Sequence, residues 1–62
     1  MKITSEELNQ YLYQPGLIHI DDMAIKVVIT NARRRYGHLD LLVTPVSGTG
    51  EKWMENHKVV IG

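Results

Sequence analysis

The chain has 62 residues, 44% hydrophobic and 23% charged, with a formal net charge of zero and no cysteine. A chain this short is one domain that buries only roughly 60% of its unfolded surface, and without thiols neither a disulfide nor a thiolate zinc site can support it. Neutrality excludes a protein that coats nucleic acid by bulk charge, because binding of that kind rests on many Lys or Arg contacts to phosphate.

Residues 4–7, TSEE, fit a capping box: the Thr4 hydroxyl accepts from the Glu7 amide while the Glu7 carboxylate reaches back to the Thr4 amide. Ile3 and Leu8 stand at the two staple positions. Leu8, Tyr11 and Leu12 share one helical face, and QPG at 14–16 stops the run, so a helix is predicted over 5–13. Its apolar stripe is too short to hold alone in water, so it must dock on a sheet. From Leu17 onward the residues favour strands, predicted at 17–20, 24–35, 38–46, 51–54 and 58–61, with Asp21 and Asp22 forming the first turn. The expected fold is α+β, mostly β: a single domain over 1–62 with a short N-terminal helix. That helix precedes a small antiparallel five-stranded SH3-like barrel or strongly bent sheet. With no phenylalanine the core is aliphatic, and Trp53 reads as a packing residue that caps it.

The 24–35 and 38–46 strands are separated by Tyr36 and Gly37, a tight turn that needs positive φ, which Gly37 supplies. Pairing Arg35 with His38 places Val28, Thr30 and Ala32 opposite Pro45, Val43 and Leu41 on the core face, with Leu39 beside Arg34. Arg33 then faces Asp40 on the other side. A bulge near Asn31 would flip the alternation beyond it and make Arg34 the exposed contact.

Three adjacent arginines cannot all point one way along a strand. In a purely structural reading Arg33 pairs with Asp40, Arg34 lies along Leu39 and Arg35 stays in water. In the functional reading the tip binds anions: Arg33, Arg34, Arg35 and Lys26 meet phosphates while Tyr36 and His38 offer faces for stacking on bases. The loop Ser47, Gly48, Thr49 and Gly50, with Lys52 and Trp53 after it, supplies further candidate contacts. It is not a Walker A loop, because that motif runs from a strand into a helix and no helix follows.

His19, His38 and His57 are widely spaced, outside any HxH or HExxH arrangement, so no metal or other cofactor is expected. Asp21 and Asp22 diverge on an extended chain, and Ser47 and Thr49 lack a strand-to-helix elbow, so no catalytic constellation is recognisable. The expectation is a small non-enzymatic binding module that contacts nucleic acid through the Arg33–His38 tip. A first alternative is a protein-interaction module or small inhibitor using a sheet edge and the helix flank around Tyr13 and Leu17. A more remote one is an oligomeric enzyme whose site is shared between protomers. Self-association is the remaining support for so small a domain, so a homo-oligomer is expected. Without a spanning run or the apolar core of a signal peptide in MKITSEEL, the expected location is cytoplasmic, with no membrane partner.

Overall fold

The computed structural model describes residues 3–62; Met1 and Lys2, which open the expected 1–62 domain, lie outside the described residues. Helix α1 (Ser5–Tyr11) starts where the capping residues place it, with Thr4 Oγ1 accepting from the Glu7 amide at 3.1 Å. The return half of the capping box does not form, because the Glu7 carboxylate accepts from Arg34 instead. The helix also ends before residue 13. Tyr13 turns left-handed at φ 64, and its amide donates to the Ile29 carbonyl at 2.7 Å while the Ile29 amide donates to the Gln14 carbonyl at 3.0 Å. Pairing with the sheet has taken the residues that propensity would have left helical.

The strands are β1 (Pro15–Ile20), β2 (Met23–Arg35), β3 (His38–Pro45), β4 (Lys52–Glu55) and β5 (Val59–Ile61), with one 3-10 turn, Asn56–Lys58, between the last two. They form one antiparallel five-stranded sheet in the order β4-β3-β2-β1-β5. No ladder joins β4 to β5, so the sheet is not closed into a barrel. It must nevertheless curl. Flat strands would hold the two edges about 19 Å apart at the usual spacing, whereas a 3-10 turn of this length spans only about 8 Å.

A β-bulge produces much of this shape. From the tip, Arg35 pairs with His38, Arg33 with Asp40 and Asn31 with Leu42, but Ile29 then pairs with Val43, leaving Thr30 as the extra residue. A bulge bends and twists its strand, which lets one long strand serve a curled sheet. Beyond Val28, β2 has lost its β1 partner, and the Ala32 amide is satisfied locally by Asn31 Oδ1 at 2.8 Å.

The bulge also corrects the expected core. Near the tip the predicted register holds, with Ala32 buried opposite Leu41. On the far side of Thr30 the alternation reverses, so Val27 and Ile29 are buried in place of Val28 and Thr30. The buried cluster is Ile18, Val27, Ile29, Ala32, Leu39, Leu41, Val43 and Val59, all aliphatic; Ile3, Leu8 and Tyr11 bring α1 against it. Trp53 is outside this cluster, because it pairs with Leu42 on the opposite face. Among the described residues no helix is long and apolar enough to cross a membrane.

Strand β5 approaches β1 closely at Gly16, where a Cβ would lie 3.0 Å from Val59 Cγ1 and 3.3 Å from the Val60 carbonyl oxygen. Gly16→Ala should therefore push β5 off the sheet edge and destabilise the fold by about 1–3 kcal/mol, read as a lower urea midpoint.

Candidate nucleic-acid interface

The hairpin tip forms as its sequence demands. Tyr36 and Gly37 both take positive φ, 48 and 79, the condition for a two-residue turn whose twist matches its strands. Strand alternation then gives the three arginines different neighbours.

Arg34 points to the core side, the side that α1 covers. Its Nε donates to Glu7 Oε1 at 2.8 Å and its Nη2 to Glu7 Oε2, a two-pronged pair between helix and hairpin. This hydrogen bonding, ahead of the charge attraction, holds the Glu7 carboxyl below the usual carboxylate range and raises Arg34 further above its own. Arg34 thus ties the helix to the hairpin; neither expectation for it, lying along Leu39 or meeting a phosphate, includes Glu7, which lies 27 positions away in sequence.

Arg33 and Arg35 occupy the other face. Arg33 Nε donates to Asp40 Oδ2 at 3.4 Å, and its guanidinium carbon lies 3.9 Å from the centroid of the Trp53 ring. The fold brings these two together because Asn31, Leu42 and Trp53 form one cross-strand row while Arg33, Asp40 and Glu55 form the next row toward the tip. Arg35 extends beyond them. Among the described residues the ion pairs are Arg33–Asp40, Arg34–Glu7 and His57–Glu55, so Arg35, Lys52 and Lys58 enter none.

Two open depressions adjoin this face. One, of about 330 Å³, is lined by Arg35, Tyr36, His38, Asp40 and Glu55. The other, of about 260 Å³, lies along β4, where Arg33, Arg35, Lys52, Trp53 and Lys58 line it together with Asp40, Met54 and Glu55. Arg35 borders both. Lys58 was not among the candidates read from sequence; it arrives because the turn after β4 returns the chain to this edge, and only the β4–β5 connection could have signalled it.

Other expected contacts are elsewhere. Lys26 lies opposite Leu17, and its carbonyl accepts from the Val46 amide at 3.0 Å, which places it at the far end of the hairpin. Thr49 and Gly50 line an apolar groove there with Ile18, Ile20, Val43 and Pro45. The Ser47–Gly50 loop follows Pro45, at the opposite end of β3 from the tip, so the tip and loop do not form a single site. Among the described residues no group of three or more His, Cys, Asp or Glu is placed to hold a metal ion.

The chain matches no family model, no curated protein and no solved structure.

Folding lowers the Glu7 pKa, so the Glu7–Arg34 contribution is present at neutral pH and is lost as the pH falls through the folded-state value, below the usual carboxylate range. Acid titration followed by NMR shifts of Leu8 and Tyr11 should reveal release of α1 as a step that Glu7→Gln abolishes. Separately, Arg33→Ala should uncover the indole and shift Trp53 emission to the red, with a stability change within about 1 kcal/mol.

Proposed function

We propose that this protein is a small non-enzymatic binding module whose cationic rim, Arg35, Lys52 and Lys58, contacts nucleic acid phosphates beside the Tyr36–His38 tip. The observation that carries this reading is the position of Arg35: exposed, outside every described ion pair, and at the border of both depressions. A neutral chain binds phosphate only where cations are left unneutralised by its own carboxylates, and the depression along β4 has three cations outside the described ion pairs against one carboxylate, Asp40, already paired with Arg33, and a second, Glu55. A helix followed by five antiparallel strands, with one 3-10 turn linking the two edge strands, supports reading the sheet as an SH3-like small barrel left open between β4 and β5.

A second reading, a protein or self-association surface, is favoured by the β5 edge. Val60 and Ile61 are exposed there, and the strand carries no charge, proline or bulge of the kind that protects natural edges. Homo-oligomerisation through such an edge would add avidity to a rim that is weak per protomer.

Contacts from three cations to a single strand correspond to a slope of log K against log salt near −2, by roughly 0.7 per phosphate. Arg35→Ala should reduce that slope by roughly 0.7, whereas Arg34→Ala should leave it unchanged while lowering stability. Fluorescence anisotropy across a salt series measures the slopes and a urea titration the stability, and a wild-type slope in Arg35→Ala would overturn the reading.

A further inference from the structure

The two aromatic residues on this side of the molecule differ in what the fold does with them. One face of Trp53 is covered by the Arg33 guanidinium, 3.9 Å from the ring centroid. Tyr36, by contrast, is 91% exposed and holds φ at 48, a left-handed conformation that a bulky side chain rarely adopts and that Asn or Gly takes readily at this turn position. Its ring adds no packing to offset that strain. The fold therefore has no use for a tyrosine here.

The depression beside Tyr36 indicates what does. Asp40 and Glu55 stand directly opposite one another on β3 and β4 and line it; Asp40 is paired with Arg33, which leaves Glu55 to disfavour a phosphate placed beside it. Arg35, on the same depression, attracts one. A ligand that satisfies both places an uncharged planar ring against Tyr36 and its phosphate on Arg35, which line the same depression. An unpaired nucleotide has this form, whereas a base within a duplex has its faces covered by its neighbours and cannot stack on an outside ring.

Building on the phosphate-binding reading above, we infer that Tyr36 is a base-stacking residue and that the ligand is single-stranded nucleic acid. The strained turn is kept for recognition, so stability and affinity respond to Tyr36 with opposite signs.

The test is fluorescence anisotropy of the full chain with a labelled mixed-sequence single strand and with its duplex at low salt, for wild type, Tyr36→Asn and Tyr36→Trp, with thermal melts of all three. Tighter binding of the single strand is expected. Tyr36→Asn should lose on the order of tenfold in single-strand affinity while melting at a higher temperature, and Tyr36→Trp should retain affinity. Equal affinity for single strand and duplex, wild-type affinity in Tyr36→Asn, or a lower melting temperature in that variant would overturn the inference while leaving the phosphate contacts in place. Failure of both nucleic acids to bind wild type would overturn the underlying reading as well.

Discussion

The extra residue at Thr30 is the constraint on which the remainder of the molecule depends. Strand β2 is 13 residues long, and an unbroken period-2 alternation along it would put Val27 and Ile29 on one face and Ala32 on the other. These three apolar side chains all lie in the buried cluster. One inserted residue reconciles them by reversing the alternation once. The same insertion bends the strand, and the bend carries the sheet toward a curl in which a single 3-10 turn can join its two edges. Asn31 makes the distortion tolerable, since its side chain satisfies an amide that the ladder cannot.

The different roles of the arginines follow from this arrangement. Downstream of the bulge, Arg34 shares the face of Ala32, where α1 lies, and a carboxylate from the helix meets it. Arg33 falls on the opposite face and reaches across β3 to the Trp53 ring, partly neutralised by Asp40. Arg35, next to the turn, is exposed and outside the described ion pairs, and carries the proposed phosphate contact. Position relative to the strand period, more than residue type, sets which arginine is structural and which is available.

The sheet divides the molecule into two ends with different surface chemistry. At the tip, Arg35, His38 and Glu55 give a polar, charged margin. At the far end the groove over Ile18, Ile20, Val43 and Pro45 is apolar. Separation of the two along β3 keeps the glycine-rich loop from joining the arginine tip, although both carry phosphate-binding residue types.

Much of the local structure could be read directly from the sequence: the Thr4 cap, the Tyr36–Gly37 turn, the pairing of Arg33 with Asp40, and the order of a helix followed by strands. Each depends on contacts a few residues apart, where side-chain chemistry and backbone sterics act without knowledge of the rest. The residues allow a bulge near Asn31 but do not say which segment it reverses, because Val27, Val28, Ile29 and Thr30 are all acceptable on either face and only packing against Leu41 and Val43 chooses between registers; the tip keeps its pairing, so Arg34 stays on the core side instead of becoming the exposed contact. The Glu7–Arg34 pair, the stacking of Arg33 on Trp53 and the arrival of Lys58 beside Arg35 join distant segments. Sequence by itself determined the elements, the turn and an aliphatic core; tertiary structure decided which face each residue took and which cations remained free, because those outcomes depend on the curvature that brings remote strands and the helix together.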